Sequence, residues 1–382
     1  MSLPARAEVV IVGGGVMGTS IAFHLAEAGV RDVVLLEQNE LGSGSTCKAA
    51  GGVRAQFSDA VNIQLGQRSL DAFARFTERP GQDIDLRRVG YLFLLSRDED
   101  VRTFEKSIAL QHEYGVPSRL IEPREAQRLS PLISTEGLLA AAFSPEDGLA
   151  TPESVVYGYA RAARGLGVHI ATQCAVTDIE VGGSAIERVH TPFGAIETPT
   201  VICAAGAWSR AIGAMAGIDL PVTPYRRQVL FTEPLPALPP APMTIDFATT
   251  FYFHAEGRGL LVGMSYQDEP PGFHLERDDT WVPALLAAAE TRAPGVGRAG
   301  IASGWAGLYE VTPDHNALIG EDPSRSRFLY ATGFSGHGFL QGPAVGEVIR
   351  DLYLGRTPVI DVSALTAARF ARGQARPERN IV

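Results

Sequence analysis

At roughly 150 residues per domain, 382 residues give room for two or three domains with a large core. A composition of 45% hydrophobic and 20% charged residues is that of an ordinary globular chain and excludes a disordered or fibrous one. The net charge of −10 argues against the basic surface of a nucleic-acid binder, and no apolar run approaches the roughly 18 residues of a membrane span.

Cys47, Cys174 and Cys203 are far apart and lack metal-ligand spacing, so neither a metal site nor a disulfide framework is expected. The N-terminus runs straight into a strand-like segment without a signal-peptide layout, and a cytoplasmic chain is the expectation. The unusual number is 41 glycines, because their positions carry most of the information.

Residues 8–12, EVVIV, read as a strand buried on both faces. The turn Gly13, Gly14, Gly15, Val16, Met17, Gly18 follows. A helix comes next, with Ile21, Leu25 and Ala28 on one face and Gly29 as C-cap. A second strand, 32–36, ends at Glu37 and Gln38. Gly13 makes the tight turn, Gly15 lets the backbone approach a pyrophosphate, and Gly18 lets the helix pack closely on the strand. The phosphates would sit at the helix N-terminus, and Glu37 would accept hydrogen bonds from a ribose diol while repelling a 2′-phosphate. This points to FAD or NAD rather than NADP. The loop that follows, with Ser43, Ser45, Thr46, Lys48, Gly51 and Gly52, is a second small, hydroxyl-rich nest suited to a longer extended ligand, which favours FAD.

Helices are expected over 59–78, 98–114, 151–167, 281–292 and 343–353. Strands are expected over 90–95, 168–171, 175–180, 185–190, 201–204, 222–231, 249–254, 260–264, 301–310 and 328–331. Proline-rich joints (Pro234, Pro236, Pro239, Pro240, Pro242) interrupt the longer strands after 221. The fold class is therefore α/β. A Rossmann-like FAD-binding domain (1–84, 151–220 and 316–382) is interleaved with a smaller α+β substrate domain on a mostly antiparallel sheet (85–150 and 221–315).

Four segments resemble the FAD-dependent amine and amino-acid oxidoreductases related to D-amino-acid oxidase, glycine oxidase and sarcosine oxidase. They are the opening EVVIVGGG…LLE…LGSGST, VICAAGAW at 201–208, WAGLYEVTPD at 305–314, and GFSGHGF at 333–339. RVGYLFL at 88–94 and TPDHN at 312–316 look like the β subunits of heteromeric sarcosine oxidases and of dye-linked L-proline dehydrogenases. The resemblance implies further FAD contacts at Val176, Ala204, Gly206, Trp208, Gly307, Gly333, Gly336, His337, Gly338, Phe339 and Leu340. It also implies backbone N–H groups at His337 facing the flavin. Gly307 stands where monomeric sarcosine oxidase has its flavin-linking cysteine, so non-covalent FAD is expected.

Arg54, just past the glycine-rich loop, suits a substrate carboxylate, which a guanidinium grips in a bidentate way. It matches the family's carboxylate-binding arginine. Tyr252 falls on a pocket position, and Tyr309 on one where relatives carry tyrosine or a second carboxylate-binding arginine. With a phenol there, and Leu340 where relatives have a lysine, a single cationic anchor is expected. Leu260, Leu261 and Val262 occupy the region of the oxygen-activating lysine, which favours a dehydrogenase over an oxidase. The implied reaction removes hydride from the carbon next to nitrogen in a small secondary amine or amino acid (sarcosine, dimethylglycine or proline type), and the imine then hydrolyses. Two alternatives remain open. One is a flavin-dependent 2-hydroxy-acid or glycerol-phosphate dehydrogenase using His254 or His337 as base. The other is a β subunit active only with a second subunit or electron-transfer partner.

Overall fold

The computed structural model describes residues 3–238 and 240–381; Met1, Ser2, Pro239 and Val382, at the ends of two expected segments and in a proline-rich joint, lie outside it. In chain order the first part contains β1 (Val9–Val12), α1 (Val16–Glu27), β2 (Val33–Leu36), β3 (Gly52–Val53), α2 (Ala60–Ala74), β4 (Tyr91–Leu95) and α3 (Asp98–Glu113). It continues through β5 (Arg119–Ile121), α4 (Pro123–Leu129), β6 (Ala140–Ser144), β7 (Gly148–Leu149), α5 (Pro152–Gly165) and β8 (His169–Ala171). Next come β9 (Asp178–Gly182), β10 (Ala185–Thr191), β11 (Gly194–Glu197), β12 (Val201–Cys203), α6 (Ser209–Met215) and β13 (Thr223–Thr232). The rest is β14 (Met243–Asp246), β15 (Tyr252–Glu256), β16 (Gly259–Met264), α7 (Val282–Arg292), β17 (Ile301–Val311), β18 (Leu318–Glu321), β19 (Phe328–Thr332), α8 (Gly338–Tyr353) and α9 (Ala368–Ala371).

The apolar, β-branched runs of β1 and β2 are buried on both faces, as parallel strands under helices must be. They sit inside a six-stranded sheet ordered β18-β19-β12-β1-β2-β8, in which only the edge pair β18–β19 is antiparallel. Val9 and Ile11 face the helical layer of α1, α5 and α8, while Val10 and Val12 face a core closed by β9, β10 and β11. Helix α8 comes close to α1 because Gly342 and Gly346 face Val16 and Ser20; a Cβ on Gly342 would stand 2.6 Å from Val16 Cγ2. An eight-stranded sheet, ordered β17-β13-β16-β15-β14-β4-β6-β5, is antiparallel except where β14 runs parallel to β4.

Several boundaries differ from the sequence reading. The strand at 175–180 begins only at Asp178, and the helix at 59–78 stops at Ala74. Strands β3, β5, β6, β7, β11, β14 and β18 were not expected. Of these, β14 lies just past Pro240 and Pro242, where proline reads as a joint. Helix α8 starts at Gly338 and carries Pro343 inside it rather than at its first position. There the proline removes only the bond to the Phe339 carbonyl, a local loss the buried helix tolerates.

The C-terminal segment is tied down by one buried ion pair. Asp314, just after β17, receives two 2.8 Å bonds from Arg369 of α9 and another from the Arg376 N–H. Glu378 then accepts from Ser58 Oγ at 2.6 Å and Asn62 Nδ2 at 2.9 Å, docking the tail on α2. Removing one partner of such a pair strands a buried charge. Asp314→Ala is therefore expected to lower the unfolding free energy by roughly 3–5 kcal/mol. Denaturant unfolding checks this, and a loss under about 1 kcal/mol, the value of an exposed pair, would contradict it.

Candidate active site

A cavity opens where the parallel strands end against one face of the eight-stranded sheet. Its near end is the turn after β1. Gly13, at φ +112°, turns the chain against Ala204, and a Cβ there would collide with the Ala204 carbonyl. A Cβ on Gly18 would collide with the Gly13 carbonyl oxygen, so α1 starts hard against the strand end. Val16 N–H bonds Thr46 Oγ1 at 3.1 Å, while the N–H groups of Gly15 and Met17 have no acceptor among the described residues. Free donors at a helix N-terminus favour an anion. Glu37 accepts Gly14 N–H at 2.7 Å and Asn39 N–H at 2.8 Å and still lines the cavity, with lone pairs left for a diol.

The far end is a sheet face. Strand side chains alternate, so the register puts Trp305, Gly307 and Tyr309 of β17 on the same side as Tyr225, Arg227 and Val229 of β13. Tyr252, Ile245, Met243 and Tyr91 continue that side across β15, β14 and β4. Gly307 admits Lys48, whose Cβ would be 2.6 Å from any Cβ there, and Gly336 admits the Tyr309 ring at the same distance. The N–H groups of Gly338, Phe339 and Leu340 open α8 at the cavity wall and find no acceptor among the described residues. Glu310 accepts Thr332 Oγ1 at 2.8 Å and Gly333 N–H at 3.0 Å, fixing the turn that aims α8.

Arg54 is buried at 4% exposure, donates to the Gln56 carbonyl and, at 2.7 Å, to the Asn380 carbonyl, and lies 4.1 Å over the Phe57 ring. No carboxylate is within ion-pair distance among the described residues, and three of its five N–H groups remain unused. Burial pulls its pKa below the ordinary guanidinium value. Asp147, also buried, accepts Ala55 N–H at 3.0 Å and the Gln56 amide at 3.3 Å, so it holds the segment that carries Arg54. His337 packs edge-on to Phe57 at 5.0 Å, and burial together with Arg54 keeps its imidazole neutral, well below its ordinary pKa. Burial also raises the phenols of Tyr91, Tyr252 and Tyr309, which stay protonated.

A profile of the family described as DAO, FAD dependent oxidoreductase, matches residues 8–352. The chain belongs to this family.

It is 30% identical over 388 residues to mitochondrial dimethylglycine dehydrogenase of Rattus norvegicus, covering 96% of this chain but 45% of that protein. The chain thus spans less than half the length of that relative. The solved structure of L-proline dehydrogenase from P. horikoshii superposes with a TM-score of 0.92 at 34% identity, covering 98% of this chain and 100% of that one. Glycine oxidase from Geobacillus kaustophilus gives a TM-score of 0.85 at 26% identity, covering 96% and 99%. The α/β fold expected from the sequence is that of these FAD dependent oxidoreductases.

The residues present fit FAD. Two helix N-termini with free N–H groups face one cavity, and its glycine walls leave no room for side chains at Gly13, Gly307 or Gly336. Gly13, Gly15, Val16, Met17, Glu37, Gln38, Ser45, Thr46, Lys48, Gly51 and Gly52 line it. So do Val176, Ala204, Gly206, Trp208, Gly307, Gly336, His337, Gly338, Phe339 and Leu340, together with Arg54, Tyr252 and Tyr309. Four expected residues stand outside the lining. Ser43 points to solvent. Gly14 serves Glu37 through its N–H, and Gly18 packs α1 onto the strand end. Gly333, at φ +71°, packs on Thr312 and gives its N–H to Glu310. The His337 N–H is taken by the Phe334 carbonyl at 2.9 Å, so the free donors begin one residue later than expected. Ser45 Oγ is bonded to the Leu308 carbonyl at 2.6 Å and ties the loop to β17. Cys47 is a free thiol that burial pushes up to about 12, leaving it a poor nucleophile for a flavin link.

The cavity also has residues beyond those expected. Arg227 also lines the cavity, as do Tyr91 and Glu310, none of which the sequence reading singled out. Strand alternation across Tyr225, Arg227 and Val229 was the available signal, but it needs to be known which face of the sheet is covered.

Asp147 keeps its proton to about pH 7, against an ordinary value of 3.8, because burial disfavours its charge. Its contribution to stability is full below pH 3.8 and is lost as pH rises through about 7. Asp147→Asn stays neutral throughout. Its stability relative to the native protein, from urea midpoints, should therefore rise between about pH 4 and about pH 7 and then level off. A difference that is flat with pH would contradict a buried acid there.

Proposed function

We propose that this FAD dependent oxidoreductase oxidises the carbon next to nitrogen in a small amino acid or secondary amine, of the sarcosine, dimethylglycine or proline type. In this reading the six-stranded sheet and its helices (1–84, 151–220 and 316–382) hold the cofactor. The segments 85–150 and 221–315 form the substrate side. Bound FAD supplies the two-electron acceptor. Gly15 and Met17 N–H groups would hold its pyrophosphate, Glu37 its ribose, and the α8 donors the electron-rich edge of its ring. Arg54 fixes the substrate carboxylate with its unused N–H groups, which sets the neighbouring carbon against the ring site. Tyr252, Tyr309 and Tyr91 wall the cavity as neutral phenols. The imine product leaves to hydrolyse in water.

The observation that carries the reading is a buried, carboxylate-free Arg54 beside a histidine that is a weak base. Oxidising an alcohol needs a group to take the hydroxyl proton. His337 is held neutral by its surroundings and makes no side-chain hydrogen bond among the described residues. His254 binds the Ala50 and Ala255 carbonyls outside the cavity. This favours an amine, which can bind already deprotonated, over a 2-hydroxy acid. Leu260, Leu261 and Val262 are buried and apolar, which supports electron transfer to a separate acceptor or partner subunit rather than to oxygen. Unpaired cysteines at Cys47, Cys174 and Cys203 suit a reducing compartment such as the cytoplasm.

Anaerobic mixing of the FAD-loaded protein with sarcosine, dimethylglycine or L-proline should bleach the flavin's visible band. Bleaching by lactate alone would overturn the amine assignment. Arg54→Met should cut kcat/KM by about 100-fold or more, mostly through KM, as expected for losing one partner of a buried charge pair.

A further inference from the structure

Neighbouring arginines on β13 meet opposite environments. Arg226 pairs with Glu269 through bonds of 2.9 and 3.1 Å and also contacts Asp278. Arg227, one residue on, turns to the cavity face. Its Nη1 reaches only the Arg226 carbonyl at 2.8 Å, its Nε is buried without an acceptor, and it forms no ion pair among the described residues. Its guanidinium lies 5.3 Å from the Tyr309 ring centre. The Tyr309 ring packs on Gly336, and the next residue, His337, stands edge-on to the Phe57 ring that lies under Arg54, so both cations border the same part of the cavity. The carboxylates in the lining do not answer them. Glu37 is at the opposite end with two backbone N–H bonds, and Glu310 is bonded to Thr332 and Gly333.

We infer that Arg227 is a second anion anchor, and that the substrate is an amine carrying two carboxylates, an amino dicarboxylate or an N-carboxyalkyl amino acid. The inference rests on the amine reading above for the reaction and adds the substrate's charge. A single carboxylate saturates one guanidinium through two parallel bonds. A second, half-buried cation lining the same cavity, with a buried Nε that has no acceptor, is then matched by a second acid group. Met243, Ile245 and Val229 supply the apolar wall along which the carbons joining the two acids would lie.

Unreactive acids test the anchor apart from the chemistry. FAD-loaded protein is titrated with succinate and glutarate, and with propionate and butyrate, following the change in the flavin spectrum. The native protein should bind the better diacid about 10- to 100-fold more tightly than the monoacids, the scale of one charge-assisted contact. Arg227→Gln should abolish that ratio, and Arg227→Lys should restore part of it, with bound FAD confirming that each variant is folded. Equal affinity for diacids and monoacids in the native protein overturns the inference without any variant. A ratio unchanged in Arg227→Gln also overturns it. Turnover assays with N-methylglycine and N-methylaspartate then separate the two readings. Diacid binding with no amine bleaching the flavin defeats the amine reading alone. Amine turnover without diacid preference, in binding or in kcat/KM, defeats this one alone.

Discussion

A guanidinium removed from water without a carboxylate beside it costs several kcal/mol, and this protein places Arg54 in that state in the wall of its cavity. Much of the surrounding structure serves to hold it. The Gln56 and Asn380 carbonyls take two of its N–H groups and Phe57 lies under its plane. Asp147 pins the backbone that carries it, and the tail that brings Asn380 is itself fixed through Glu378 and the Asp314–Arg369 pair. Carbonyls and an aromatic face stabilise a cation without cancelling its charge, so the cavity remains attractive to an acid.

The opposite end of the cavity solves a different problem with backbone alone. Gly13 and Gly18 bring a helix start against a strand end, and Gly307 and Gly336 clear a wall so that Lys48 and Tyr309 can close in. Helices α1 and α8 aim unfilled N–H groups at the same space. An extended dinucleotide, with a charged pyrophosphate for one helix start and an electron-rich ring edge for the other, fits that pairing better than a short ligand would. The acidic surface implied by a net charge of −10 makes the contrast with a cavity holding Lys48, Arg54 and Arg227 sharper.

The nucleotide end was legible because its signals are local. A β-branched run, a glycine turn, a helix and an acid 19 residues after Gly18 sit within forty or so residues. The substrate end was only half legible. Arg54 stood out by its place after a glycine-rich loop, but the letters alone do not distinguish Arg227 from its neighbour Arg226, and only the sheet register separates the arginine paired with Glu269 from the one facing the cavity. Glu310 was read as part of a motif, yet its work, holding the turn before α8, depends on Thr332 and Gly333 arriving from another strand. Pro343 misled because proline at the first turn of a helix and proline six residues in carry the same letter; burial under α1 decided the matter. Strand β14 was hidden by the prolines before it, and it finds its place by pairing parallel to β4, a partner some 150 residues earlier.

The central claim is that an uncancelled positive charge in this cavity selects acids. The most direct measurement is a calorimetric titration of the FAD-loaded protein with a small unreactive carboxylate and, separately, with its uncharged amide. The account predicts that the acid binds and the amide does not. Equal binding of both, or of neither, would contradict it.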